Sequence, residues 1–208
     1  PGETQAFFEK HPDIGVQLEE KVSPVITREI MANGADIGIC AKLPHGYDLA
    51  ELPYHTDELV LVTPLNHPLA NRDAIDFRDS LEHAYVGLHS SSAINLQLLK
   101  AASLANRPLR LRIQVTSYDA LCLMVQAGLG IGVVPRGAIR QYVGGLQVRV
   151  LPIRDDWAKR PLCIYVNNID RISMAARLFV DHLIESSNNS KQQLAIEKSE
   201  KAFKPSLM

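Results

Sequence analysis

Residues 125–135 read Val125-Gln126-Ala127-Gly128-Leu129-Gly130-Ile131-Gly132-Val133-Val134-Pro135. The alternating glycines invite a nucleotide-binding reading, which fails on two counts. The spacing is not G-x-G-x-x-G, and the glycines follow a helical segment and precede a strand, the reverse of the dinucleotide fingerprint. Upstream, Leu121, Met124 and Val125 recur at helical spacing. Gly128 therefore reads as the helix C-cap. Gly130 and Gly132 bring the chain closely into an apolar strand, Ile131 to Val134, that ends at Pro135. A helix delivered by a tight glycine turn into a fully apolar strand is the signature of a layered α/β protein.

The same alternation extends in both directions. Tyr85 to Leu88 reads as a strand, and Ser90, Ser91 and Ser92 precede a helix whose apolar face is Ile94, Leu98, Ala101 and Ala105. Leu109, Leu111, Ile113 and Val115 alternate with polar residues, a strand pattern. Thr116 and Asp119 have capping-box spacing at the next helix. Nearer the start, Gly2 to Lys10 reads as a helix stopped by Pro12, and Ile14, Val16 and Leu18 alternate as a strand. Ser23-Pro24 reads as an N-cap and first helical residue. That helix carries Val22, Ile26 and Ile30 on one face and ends at Gly34. Asp36 to Ala41 and Glu58 to Thr63 are strands, the second followed by the turn at 64–68. Beyond Pro135, strands are expected near 148–151 and 162–166, then a helix from Arg171 to Glu185 with Ile172, Ala175, Phe179 and Leu183 on one side. The pattern predicts an α/β protein with two mixed, mostly parallel sheets in two lobes. The chain crosses between them near 64–68 and 162–168, which makes a hinge and leaves an interlobe cleft. From Ser186 the composition turns polar and charged, reading as a flexible tail.

Composition narrows the function. The 208 residues carry 22 Lys plus Arg against 23 Asp plus Glu. That balance excludes a chain that coats nucleic acid by itself, because phosphate binding needs a basic face. Cys40, Cys122 and Cys163 each lie in apolar runs without C-x-x-C spacing and read as buried free thiols of a reducing compartment. No run long enough for a membrane span is seen, and no secretory leader. The seven histidines show neither H-x-x-x-H nor H-E-x-x-H spacing, and no G-x-S-x-G elbow occurs. Catalytic residues, metal sites and cofactors are therefore not expected. Trp157, in a turn expected at Asp155-Asp156, reads as packing rather than a sugar platform.

The hydroxyls carry more information. Ser23, Ser90 to Ser92, and Thr116 with Ser117 all fall where a strand ends and a helix begins. Each alone is an ordinary N-cap candidate. Together, in one cleft, they would offer donors beside helix N-termini that carry about half a positive charge. Hydrogen bonds to a charged group are worth roughly 1.5–3 kcal/mol each, so three or four could hold a small carboxylate.

Read in order, several segments resemble the effector-binding domain of LysR-type transcription regulators. These are Phe7-Phe8-Glu9-Lys10-His11-Pro12 with Ile14, Gly34-Ala35-Asp36-Ile37-Gly38-Ile39, the turn His67-Pro68-Leu69-Ala70, and above all 125–135, with Arg160 to Val166 and the Phe179/Leu183 helix completing the set. The resemblance covers about residues 1–185. It implies a type 2 periplasmic-binding-protein-like fold, with lobe I from 1–64 and 165–185, lobe II from 65–164, and a tail over 186–208. It also implies that Ser23, Ser90, Ser92, Thr116 and Pro135 fall in segments that line the effector cleft. Such a domain is cytoplasmic, forms homodimers or homotetramers, and reaches promoter DNA through an upstream winged helix-turn-helix outside this sequence. The family's first strand would also precede Pro1. A solute-binding protein for transport, an enzyme on a two-lobed fold, and a domain kept only for assembly are the competing readings.

Overall fold

The structure, a computed structural model, describes residues 2–19, 21, 23–42, 46–140 and 145–202. The elements run α1 (Gly2–Lys10), α2 (Ser23–Met31), β1 (Gly38–Ala41), β2 (Ala50–Pro64), α3 (Phe77–Ser80), β3 (Tyr85–Leu88), α4 (Ala93–Leu104), β4 (Leu111–Val115), α5 (Tyr118–Gln126), β5 (Gly132–Pro135), α6 (Arg136–Arg140), β6 (Val148–Pro152), a 3-10 turn at Asp156–Ala158, β7 (Lys159–Val166) and α7 (Met174–Ala202). The chain forms two compact units. One comprises Pro1–His55 with Pro161–Met208, the other Thr56–Arg160.

In the second unit, β2 pairs antiparallel with β5 (Val60 opposite Val134) and with β6 (Leu61 opposite Leu151). β3 pairs parallel with β4 and is bridged in parallel to Ile131 just before β5. Leu59 to Val62 are completely buried, so β2 is covered on both faces. Leu59 and Leu61 join Phe77, Tyr85, Ile94 and Leu98 in one core, whereas Val60 and Val62 join Val86, Leu121, Val125 and Ile139 in the other. The sheet thus lies between α4 on one side and α5 with α6 on the other. Trp157 closes the α4 side. Its ring meets Phe77 edge-on at 5.1 Å, and its indole N–H donates to Asp155, whose other carboxylate oxygen accepts from the Phe77 N–H.

In the first unit, β7 also buries both faces. Ile164 and Val166 pack with Val180 and Leu183 of α7, while Cys163 and Tyr165 pack with Cys40, Ile26 and Leu49. Phe7 of α1 is fully buried and meets Phe179 of α7 edge-on at 4.8 Å.

Three expectations need correcting. The alternation of Ile14, Val16 and Leu18 does not make a strand. Residues 14–19 are irregular and Leu18 is 90% exposed, because alternation defines a face but supplies no ladder partner. Val22, expected on the α2 face, lies outside the described residues. Parallel pairing does not dominate: β1 with β7, and β2 with β5 and β6, are antiparallel. A helical crossover enforces parallel pairing only between the strands it joins, and β2 is entered from β1 without a helix. The helix expected to end at Glu185 continues to Ala202. From Lys191 its extension consists mostly of Lys, Gln, Ala and Glu and meets no glycine or proline before Pro205. Its first turns still belong to the packed fold, since Ser187 is 3% exposed and its hydroxyl donates to the Tyr54 carbonyl.

The helix ends are closed by left-handed residues. Asn33, not Gly34, takes that conformation after α2, with the Gly34 N–H reaching Glu29 O and the Asn33 N–H reaching Ile30 O. Gly128 closes α5 in the same way, as its position in the glycine run predicts. Gly130 follows at φ 158°, where an added Cβ would lie 2.6 Å from the backbone carbonyl oxygen of Ala84. A Gly130→Ala variant should therefore lose at least about 1 kcal/mol in chemical denaturation. Gly137→Ala, with nothing within 4 Å in α6, should be neutral or gain up to about 1 kcal/mol.

The HPLA turn contains a second testable contact. The His67 ring accepts from the Leu69 N–H through Nδ1 and meets the His83 ring at 4.5 Å. Burial, and then the neighbouring His83, hold the His67 pKa below its ordinary value. A depressed histidine favours the neutral ring in the folded state. Its contribution is present above the unfolded pKa of about 6.5 and is lost as pH falls below that value through the lower folded pKa. Denaturation midpoints should drop on acidification through this range, and less steeply in His67→Gln.

Candidate functional site

The parallel strands of the second unit decide which hydroxyls meet. Leu88 and Val115 are register partners at the ends of β3 and β4, so the loop His89–Ser92 and the bend Thr116–Ser117 emerge side by side. β5 is parallel to β3 through the Tyr85–Ile131 bridge, so Pro135 ends at the same side of the sheet. Gln114 fastens the two loops, its side-chain amide donating to Leu88 O at 3.5 Å. Ser90, Ser91, Ser92, Thr116, Ser117 and Pro135 thus gather beyond the carboxyl ends of three strands, the position where open α/β sheets bind ligands. Ser23 lies in the other unit, at the start of α2.

The hydroxyls divide into two kinds. Ser92 and Ser117 are helix caps. Ser92 Oγ accepts from the Asn95 N–H at 3.1 Å, and Ser117 Oγ accepts from the Ala120 N–H at 3.2 Å. Ser117, not Thr116, caps α5, because Ser117 is the extended residue directly before the first helical one. Asp119 then sits at the second helical position, and the reciprocal capping box is not formed. Thr116 is left exposed and outside the cap. Ser90 and Ser91 are also exposed, with Ser91 Oγ 2.9 Å from His89 Nδ1. Both α4 and α5 therefore present capped N-termini beside hydroxyls that remain accessible.

Sequence reasoning missed the charged groups at this end of the unit. Glu58, beside the start of the Leu59–Pro135 ladder, accepts from Arg136 Nε at 2.6 Å. Asp57 accepts from Arg160, with both side chains largely buried at 13% and 17% exposure. These pairs join the residues by which the chain enters and leaves the second unit. The Nε atom of Arg160 is buried without a hydrogen-bond partner, as is Oδ1 of Asn95 in the first turn of α4. The signal was available only in part: Asp57-Glu58 is visible in the sequence, but its partners are 78 and 103 residues away.

In the first unit, Ser23 is 9% exposed at the start of α2. Glu51 accepts from the Tyr165 phenol at 3.1 Å and pairs with Lys42. Burial, together with Glu51, pushes the Tyr165 pKa upward. Among the described residues no group of His, Cys, Asp and Glu is arranged to hold a metal ion. Among the described residues no helix is long and apolar enough to cross a membrane.

Comparison with known proteins agrees with this geometry. The LysR substrate binding domain family matches residues 4–188. A probable RuBisCO transcriptional regulator of a Synechocystis sp. is 29% identical over 185 residues, covering 86% of this chain and 53% of its own length. The chain thus spans about half of that relative. Among solved structures, the Synechocystis CcmR regulatory domain in complex with 2-PG superposes with a TM-score of 0.83 at 22% identity, covering 91% of each chain. The effector binding domain of QuiR in complex with shikimate gives 0.77 at 24% identity, covering 91% of this chain and 90% of its own. These likenesses show the type 2 periplasmic-binding-protein-like fold. With the family match running from α1 into α7, the chain belongs to the LysR substrate-binding-domain family.

Proposed function

We propose that this chain is the effector-sensing domain of a LysR-type transcription regulator, binding a small organic effector at the strand ends of the second unit. The observation that carries the reading is the gathering of Ser90, Ser91, Thr116 and Pro135 at the carboxyl ends of β3, β4 and β5, between the N-termini of α4 and α5. Accessible hydroxyls there donate to an anion, while the helix termini lower the cost of placing charge near them. A carboxylate-bearing metabolite fits this chemistry. Regulation requires that the effector bind one conformational state better than another. It also requires a partner module that reads promoter DNA, an upstream winged helix-turn-helix, since this domain has no net positive charge. Homodimers or homotetramers in the cytoplasm are the working form of such a regulator. Support comes from the transcriptional regulators among its relatives and from the absence of catalytic spacing in the sequence.

The test is thermal unfolding against a panel of small carboxylates and phosphate esters that includes shikimate. A true effector at a hundred times its dissociation constant adds about 2.7 kcal/mol of stability. Ser91→Ala and Thr116→Ala should each weaken that binding by about tenfold to a hundredfold, from the loss of a charge-assisted bond of roughly 1.5–3 kcal/mol. Ser92→Ala and Ser117→Ala should instead each cost about 1 kcal/mol of stability with or without ligand, as caps do. A binding compound whose affinity is untouched by both Ser91→Ala and Thr116→Ala would place the effector elsewhere.

A further inference from the structure

β1 and β7 set Cys40 directly opposite Cys163 in an antiparallel ladder. Opposed residues project to the same face of a sheet, and the two thiols share one buried cluster with Tyr165. The hydrogen-bond pattern fixes the kind of pair. The Lys42 N–H donates to the Pro161 carbonyl at 2.9 Å, which makes Lys42 and Pro161 a hydrogen-bonded pair. Such pairs alternate along an antiparallel ladder, so Cys40 and Cys163 form the next one, with Cα atoms about 5.5 Å apart. A disulfide spans roughly 4.4–6.8 Å between Cα atoms. Both cysteines are free thiols. We propose that Cys40 and Cys163 close into a reversible disulfide, a redox-responsive strap between β1 and β7.

Geometry makes the strap reversible. A disulfide holds its Cβ atoms about 3.5–4.5 Å apart, whereas hydrogen-bonded cross-strand pairs sit toward the wide end of about 4.5–5.5 Å. Closing the bond draws the strands together, and the resulting strain makes it easier to reduce. β1 can make that movement, because it is a four-residue strand at the end of its sheet order.

The oxidant is a hydroperoxide. The Cys40 thiolate attacks the terminal peroxide oxygen, the O–O bond breaks, and the departing alkoxide takes a proton, leaving a sulfenic acid. The Cys163 thiolate then attacks the Cys40 sulfur and expels the oxygen as water. Two thiols and one hydroperoxide become a disulfide, an alcohol and water, and the peroxide takes up two electrons. Burial pushes the Cys40 thiol up to about 11 and also raises Cys163. Burial disfavours the reactive thiolates, so this oxidation is slow near neutral pH.

The experiment exposes the purified chain to hydrogen peroxide, alkylates it under denaturing conditions and maps non-reduced peptides. The expected product joins the Cys40 and Cys163 peptides, is reversed by dithiothreitol, and leaves Cys122 in α5 alkylated throughout. A Cys163→Ser variant should stop at a Cys40 sulfenic acid that dimedone captures. If that variant does not fold, the wild-type map decides alone. Recovery of Cys40 and Cys163 as separately alkylated or irreversibly oxidised peptides overturns the strap.

Discussion

A strand whose two faces are both buried must be apolar on consecutive residues and must satisfy its backbone on its sheet neighbours. β2 meets both demands, and the rest of the second unit is arranged around it. Leu59 to Val62 alternate between two cores, while β5 and β6 take up their backbone groups in antiparallel ladders. The same continuous strand begins in the first unit at Ala50. Its passage is marked by Asp57 and Glu58, each held by an arginine from a distant part of the chain. Removing one partner of the largely buried Asp57–Arg160 pair would leave the other charge poorly solvated, so the pair fixes these segments even where it adds little net stability.

The glycine run performs the complementary task. Gly128 turns the chain out of α5, and Gly130 lets it pass against the Ala84 carbonyl. β5 is thereby delivered parallel to β3. Without that close approach, Pro135 would not end at the same side of the sheet as the Ser90–Ser92 loop and Thr116. Packing at one end of the strands thus assembles the hydroxyls at the other.

Those hydroxyls show how a fold separates structural from recognition chemistry among similar residues. A helix N-terminus leaves backbone donors that need an acceptor. Ser92 and Ser117 supply it, so Ser91 and Thr116 need not. In the first unit the corresponding serine, Ser23, is nearly buried in the first turn of α2. Hydroxyl residues with similar sequence context therefore end in different environments.

The sequence alone determined the element types, because hydrophobic period is a property of neighbouring residues. The α4 face of Ile94, Leu98 and Ala101, the apolar run into β5 and the Gly128 cap are all read locally. So was the placement of the hydroxyls between strand ends and helix starts. Where local pattern and tertiary context parted, context prevailed. Ile14 to Leu18 alternate yet lack a ladder, and β2 extends back through Pro53 to Ala50 because partners were there to pair it. Strand direction, the division of serines into caps and accessible hydroxyls, the Asp57–Arg160 and Glu58–Arg136 pairs, and the register that opposes Cys40 to Cys163 were decided only by tertiary structure. Each depends on which distant segments come together, and no property of adjacent residues encodes that distance.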